Sequence, residues 1–474
     1  MDILLINPKG LDAKAFDIMP PLGLATIGCV LEKTGFTVCI LDLEVKSKKF
    51  DLYRYIKDIL PKIVGISGTS RTRFESFRIA RTAKQVSDKI VTGYGGCHAT
   101  FTAEDTLSHI REIDYIVHGE GELTMVELAN FFIFNKGSVK DIKGISYRMD
   151  GKIVRNPPRE RIQNLDSLPY SRHLLEMEAY NLKLDFLNLP ATSIMTARGC
   201  PFNCSFCSAS VMFGTNYTMR SAKNVVDEIQ YCIENFKIKG IKFFDSTLTI
   251  NKAHVLSLLE ELKKRNIDLP WECEIRVDTV DRSLLEAMKR GGCYYVGLGV
   301  ESASEPVLKT IDKGISLEQV SNVLKWCTEL DLETKAFFSF GHISETWQDT
   351  EKTLAFIDRH RNEISSLAKG YGIRIYPGTQ VERYAIENGL LPKDFSWSRP
   401  SKNIVEDVVF NAGVPILLQP SYGLKELRSC LYRLELKGNV DSIRSIIRNL
   451  RKIKSFRELL LKLSIVVKLA VSKH

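Results

Sequence analysis

The sequence predicts an α/β protein made of two successive β-α modules. The first is a doubly wound sheet, the second a partial (βα)6 barrel of TIM type, and a helical segment follows them. Three observations lead there. Apolar runs of strand length alternate with helix-length amphipathic stretches over roughly the first 130 residues, and the alternation resumes near residue 191. Small residues, glycine above all, close several of the strands. Between the two runs lies a stretch punctuated by proline and poor in apolar periodicity.

Taken in order, "DILLINP" and "FTVCILDLE" read as buried strands, followed by "IVGISGTS", "KIVTGYGGCHAT" and "IDYIVHGEGE". Helical stretches such as "GLATIGCVLEKTG" and "RFESFRIARTAKQVSD" lie between them, so residues 1–140 form the doubly wound, mostly parallel sheet. Ser67-Gly68-Thr69, Gly95-Gly96 and Gly119-Glu120-Gly121-Glu122 stand at strand ends, where such sheets bind ligands and glycine lets the backbone approach. One such turn is an ordinary βα connection; three in succession point to a ligand. Residues 141–190 hold a hairpin, "GISYRMDGKIV", and a connector. Over 191–400 the strands are "TSIMTARG", "GIKFFDS", "WECEIRVD", "YYVGLGVES", "ETKAFFSFGH" and "GYGIRIYPGT", with catalytic groups expected at their carboxyl ends. Residues 401–474 are read as a basic helical segment.

Bulk properties narrow the class. A chain of 474 residues is long enough for two or three domains, and 44% hydrophobic with 26% charged residues is an ordinary globular balance. The opening "MDILLINPKG" is a short strand and not a signal peptide, and no apolar run approaches the roughly 18–20 residues of a membrane span. A cytoplasmic location is expected. The net charge of +9 is concentrated in residues 431–474, which carry eleven Lys/Arg against three Asp/Glu. That is a tail and not a groove, so nucleic acid is not an expected partner.

The eleven cysteines are scattered, and several, Cys29, Cys39, Cys232 and Cys293, sit in apolar segments and read as buried, inert thiols. The exception is "TARGCPFNCSFCSAS", residues 196–210, with Cys200, Cys204 and Cys207 in a C-x3-C-x2-C pattern. Thiolates suit zinc, copper(I) or iron–sulfur clusters, and a structural zinc site normally takes four protein ligands. Three thiols on one βα loop instead fit three irons of a 4Fe-4S cube, leaving the fourth iron open to a small molecule.

"RGCPFNCSFC" resembles the signature loop of the radical S-adenosylmethionine (SAM) superfamily. Further segments resemble its subgroup with an N-terminal cobalamin-binding domain: "PPLGLATIGCVLEKTGFTVCILD", "GGCHATFTAEDTL", "IDYIVHGEGE", "FFDSTLTIN", "GLGVES", "GHISET" and "YPGT", together spanning about residues 1–390. The resemblance implies a 4Fe-4S cluster on Cys200, Cys204 and Cys207 that reduces SAM to a 5′-deoxyadenosyl radical. An external one-electron donor is then a partner. Phe206 resembles the aromatic residue that packs near the adenine. Asp245, Glu274, Arg276 and Glu301, at or near strand ends, are candidates for holding SAM, since arginine pairs with its carboxylate and carboxylates accept from ribose hydroxyls; the alternative for each is an internal barrel ion pair. "GHISET" departs from the subgroup's usual pattern, with Ile343 and Ser344 where Pro-Gly is common, and Glu345-Thr346 reads as the start of a helix.

The resemblance also implies cobalamin, with Ser67, Thr69, Gly95 and Gly96 as the best candidates to cradle its nucleotide tail. An Asp-x-His-x-x-Gly loop is missing from "INPKGLDAKAFDIMP", and His98 and His118 are expected to be surface hydrogen-bonding groups without a role on cobalt. The alternative is a doubly wound module that binds no cofactor.

The implied reaction is modification of an unactivated carbon, with cobalamin-dependent methyl transfer ahead of oxidative cyclisation or rearrangement. The substrate is a small molecule or a lipid-like compound. A methylthiotransferase, which needs a second cluster, and a non-catalytic module are the rivals. In the tail, Ile443, Ile446, Ile447, Leu450 and Ile453 recur at helical intervals among Arg444, Arg448, Arg451, Lys452 and Lys454. This basic amphipathic helix either docks on the barrel or lies at the anionic inner face of a membrane, bringing the barrel to a lipid-like substrate.

Overall fold

The computed structural model describes residues 1–10, 18–170, 172–401, 404–405 and 413–440, with side chains through residue 434. The N-terminal sheet contains β1 (Ile3–Asn7), β2 (Val38–Asp42), β3 (Ile63–Ser67), β4 (Val91–Gly95), β5 (Tyr115–Val117), β6 (Ile145–Met149) and β7 (Lys152–Arg155). Its order is β2-β1-β3-β4-β5-β6-β7, parallel through β5 and antiparallel thereafter. The hairpin read as part of the connector therefore extends the first sheet. Strands buried on both faces explain the unbroken apolar runs. Helices Leu22–Lys33 and Glu122–Phe134 cover one face through Leu24, Leu31, Met125 and Leu128, and Arg73–Val86 covers the other through Phe77, Ala80 and Ala83. The winding direction reverses between β1 and β3, which opens a crevice at their carboxyl ends.

The second sheet has β8 (Thr192–Ile194), β11 (Ile241–Phe243), β12 (Trp271–Ile275), β13 (Cys293–Glu301), β14 (Glu333–Phe340) and β15 (Ser366–Tyr371), all parallel and adjacent in chain order. A small antiparallel pair, β9 (Ala197–Arg198) with β10 (Thr218–Met219), follows β8. The last strand lies earlier than "GYGIRIYPGT". Residues 366–371 pair with β14, whereas Ile373 and Ile375 pack with Leu417 in a separate cluster. Both stretches are apolar enough for strands, and only pairing register separates them.

The barrel core lies between sheet and helices. On β14 the residues turned towards the helices, Thr334, Ala336, Phe338 and Phe340, are buried, whereas Lys335, Phe337 and Ser339 on the inner face stay partly accessible. The interior is therefore not filled by branched apolar side chains as in a closed barrel. Behind residue 412, Ile416, Tyr422, Leu427, Cys430 and Leu434 join the barrel core. Among the described residues no helix is long and apolar enough to cross a membrane. The basic amphipathic stretch at 443–454 lies outside the described residues.

Candidate functional site

Cys200, Cys204 and Cys207 occupy the loop beyond β8 and β9, at the carboxyl end of the barrel. Neighbouring elements set its path. Asp245, just beyond β11, accepts from the Thr196 N–H and hydroxyl, each at 3.0 Å, and from the Ala197 N–H at 2.7 Å. Burial pushes the Asp245 carboxyl up to about 6. At Gly199 φ is +92°, and a Cβ would stand 2.1 Å from the Asn216 carbonyl oxygen, so only glycine fits before Cys200. On the far side the Ser205 N–H donates to the Ile311 carbonyl at 3.0 Å, and Cys204 Sγ lies 3.7 Å from the Asp312 carbonyl oxygen.

The three thiols are free and act on one another. Burial pushes each pKa up; Cys204 adds to the rise at Cys200, Cys207 to that at Cys204, and Cys200 to that at Cys207. Lys313 opposes the rise at all three and Arg276 at two of them. Three soft donors on one loop, close enough to raise one another's pKa and faced by two cations, suit thiolates on an iron–sulfur cluster. Cys232, Cys273, Cys293, Cys327 and Cys430 are in the barrel core and supply no fourth ligand.

Around the thiols stand the ends of the next strands. Arg276, after β12, donates to both Asp278 oxygens at 2.9 and 2.8 Å and to the Lys313 carbonyl at 2.5 Å. Glu301 ends β13 at a register shift with φ +69°, a left-handed conformation costly for a non-glycine residue. Burial raises its carboxyl pKa, but Lys313 at 3.0 Å outweighs this and holds it below the usual range. The Ser339 hydroxyl donates to Glu301 at 3.0 Å and lies 2.8 Å from His342 Nε2. Burial pulls His342 down to about 4, so the ring is neutral at pH 7. Phe206 meets that ring edge-on, with centroids 5.4 Å apart.

Lys313, Ser339, His342 and Phe202, whose ring lies under the Arg276 guanidinium, were not among the residues singled out from sequence. Their signal was weak, since Lys313 and Ser339 carry only a nearby glycine in "DKG" and "SFGH". Glu274 lies deeper, two residues before Arg276, where burial pushes its carboxyl up to about 7 and Lys335 and Lys242 oppose the rise. No hydrogen bond reaches it from the described residues, and a Cβ on Gly297 would stand 1.9 Å from its Oε2. In "GHISET" Ser344 has φ +62°, Thr346 caps the helix Trp347–Arg359 reciprocally with Asp349, and Glu345 accepts from the Gly341 and His342 N–H groups at 2.8 and 2.9 Å.

A cavity of about 290 Å³ lies where the two sheets' carboxyl ends face each other. Ser67, Gly95 and Gly96 line it on one side, Ala197, Arg198, Met212 and Phe213 on the other; Thr69 is not among the lining residues and instead takes a Thr72 hydroxyl on its N–H at 3.0 Å. Gly96 has φ +97°, and a Cβ would stand 2.7 Å from the Gly68 carbonyl oxygen. Glycine at 96 is thus required by the close approach of the two strand-end turns, and the wall they form together is one on which a cobalamin would lie. No histidine is among the described residues lining it. His118 uses both ring nitrogens, on the Thr100 carbonyl oxygen and the Ser146 hydroxyl. His98 is fully buried, not a surface group as expected; it sits 2.9 Å from the Ser70 hydroxyl and packs edge-on against Trp397.

This pairing of a three-thiol loop with a doubly wound domain defines a radical SAM enzyme carrying a cobalamin-binding domain. The model of the Radical SAM superfamily matches residues 194–357, and that of the B12 binding domain matches residues 8–129. The chain belongs to the radical SAM superfamily. It is 36% identical to the uncharacterized methyltransferase PH0819 of Pyrococcus horikoshii, over 78% of this chain and 80% of that one. It is 31% identical to the anaerobic magnesium-protoporphyrin IX monomethyl ester cyclase of Rubrivivax gelatinosus, over 74% of this chain and 65% of that one. Its fold is similar to that of the radical SAM methyltransferase TsrM from Kitasatospora setae, whose structure holds cobalamin and a 4Fe-4S cluster, with a TM-score of 0.68 and 21% identity across 81% and 76% of the two chains. The protein is an enzyme, with a 4Fe-4S cluster, SAM and cobalamin as its cofactors.

Proposed function

We propose that the enzyme methylates an unactivated carbon of a polar small molecule held in the barrel interior. One observation carries this reading: the loop bearing three thiols and no fourth is continuous, through Arg198, with the wall of the interdomain cavity. When bound, the 4Fe-4S cluster supplies one electron, SAM a carbon radical, and cobalamin a transferable methyl group. Cys200, Cys204 and Cys207 would hold the cluster, and Lys313 and Arg276 would offset its negative charge. Arg276 and Glu301 would meet SAM's carboxylate and ribose, and Phe206 would pack near its adenine. Asp245 acts through the loop it holds, because its Oδ1 takes the Thr196 N–H and hydroxyl and the Ala197 N–H. Ser67, Gly95 and Gly96 cradle cobalamin, with Thr69 behind them in the same turn.

The substrate reading rests on the inner face of the barrel. Glu274 lies on it with Phe337 and Ser339, while Lys335 is held to Asp185 at 3.1 Å, a lining suited to a polar compound with an apolar part and not to a hydrocarbon alone. Contact of the basic tail with an anionic membrane stands as a separate proposal, tested by salt-sensitive vesicle binding that is lost when residues 431–474 are removed.

The test of the main reading is anaerobic purification with cobalamin supplied, followed by incubation with SAM and a one-electron reductant. Formation of both 5′-deoxyadenosine and S-adenosylhomocysteine is expected. The first product without the second would favour cyclisation or rearrangement, and the absence of both would overturn the reading.

A further inference from the structure

The Gly119-Glu120-Gly121-Glu122 turn and the arginine just before the cysteine loop meet across the two domains. Arg198 Nη1 donates to Glu120 at 2.7 Å and Nη2 to Glu122 at 2.6 Å. The three side chains are 16%, 7% and 3% exposed, and all three residues line the cavity. Neither end of this clamp is loose. Glu122 begins the helix Glu122–Phe134, and the second oxygen of Glu120 accepts from the Ile162 N–H at 2.7 Å. Arg198 lies in β9, paired with β10, and its carbonyl accepts from Arg161 at 3.2 Å. Only Gly199 separates it from Cys200. A planar fork with one carboxylate on each arm fixes direction as well as distance, which a lysine could not do.

We propose that Arg198 is a positioning residue that couples the two cofactor sites. Through Glu120 and Glu122 it holds the cysteine loop against the cavity, so that SAM at the loop and cobalamin in the cavity change each other's affinity. The inference rests on the reading that cobalamin occupies this cavity. Coupling between two sites needs an element that both ligands bias, and this clamp has one end at each. The competing carrier, direct contact between the two ligands, does not pass through the arginine.

The test is an anaerobic titration of the full-length, cluster-loaded protein with hydroxocobalamin, followed by visible absorption, with and without SAM. In the parent the two dissociation constants should differ by about tenfold, a common size for such coupling. Arg198→Met should lose most of that difference, Arg198→Lys should keep part of it, and Glu120→Gln should fall between parent and Arg198→Met. Iron content and thermal melting report whether each variant folds and loads its cluster; should Arg198→Met fail to do so, Glu120→Gln decides. Undiminished coupling in the deciding variant, or a parent that binds hydroxocobalamin equally with and without SAM, overturns the clamp and leaves the cavity reading standing. A parent that binds no hydroxocobalamin overturns both.

Discussion

Arg276 lies flat over Phe202, its Cζ 3.5 Å from the ring centroid, with Nη1 3.8 Å from Cys204 Sγ. The aromatic inside the C-x3-C spacing thus supports the cation that faces the second thiol, and Asp278 locks the guanidinium plane. A cation this close favours the reduced, more negative cluster. Arg276→Met should lower the cluster's midpoint potential by on the order of 50 mV, Asp278 having cancelled part of the charge in the parent. An anaerobic redox titration followed by electron paramagnetic resonance checks this, and an unchanged potential would remove Arg276 from that role.

Cys204→Ala takes one of the three thiols from the loop. Iron in the reconstituted protein should fall from about four per chain to less than one, and SAM cleavage should cease. Zinc in place of iron in the parent would contradict the whole assignment.

Gly96 tests the cavity without touching the cluster. In Gly96→Ala the new methyl meets the Gly68 carbonyl oxygen at 2.7 Å in a left-handed conformation. Relief of a strain of about 1–3 kcal/mol must displace the turn. Hydroxocobalamin affinity should drop roughly tenfold or more while iron content holds, both measured by absorption.

A buried network joins the connector to the barrel. Arg172 donates to Glu228 at 2.7 Å, and Arg220 reaches the other Glu228 oxygen at 2.6 Å, with Arg172 1% and Glu228 6% exposed. Glu228→Ala leaves the buried Arg172 and the half-buried Arg220 without their carboxylate, which costs about 3–5 kcal/mol. The urea midpoint should fall sharply, and the double variant Arg172→Met/Glu228→Met should recover part of the loss.

Glu345 predicts a pH dependence. Burial pushes its folded-state carboxyl up to about 7, above the ordinary value of 4.5. The folded protein therefore holds this proton more tightly than the unfolded chain. Its stabilising contribution is complete below pH 4.5 and is lost as pH rises through 7, with an upper bound of about 3 kcal/mol. Buried His342, pulled the other way to about 4, makes stability fall with acidification below its ordinary 6.5. The parent-minus-variant difference isolates the carboxyl. Relative to the parent, Glu345→Gln should gain stability between pH 5 and 8, read from urea midpoints across that range.

The amino-acid order alone determined the two β-α modules, because strands buried on both faces must be apolar without interruption and their helices must carry a stripe. It also singled out the thiol triplet, because soft ligands on one loop need close spacing, and the glycine-rich strand ends. Those signals are local, written within ten or so neighbouring residues.

Tertiary structure decided what is not local. It placed the sixth barrel strand at Ser366–Tyr371, since two apolar stretches a few residues apart are separated only by which one finds the β14 ladder. It joined the hairpin of residues 145–155 to the first sheet through the β5–β6 pairing. It gave Asp245 to the backbone of Thr196 and Ala197, and buried His98 against Trp397, 299 positions further along the chain. It also brought Arg198 onto Glu120 and Glu122, more than 70 residues away. Hydrogen bonds and ion pairs depend on distance in space, and a chain read in one dimension carries that distance only where its ends are close.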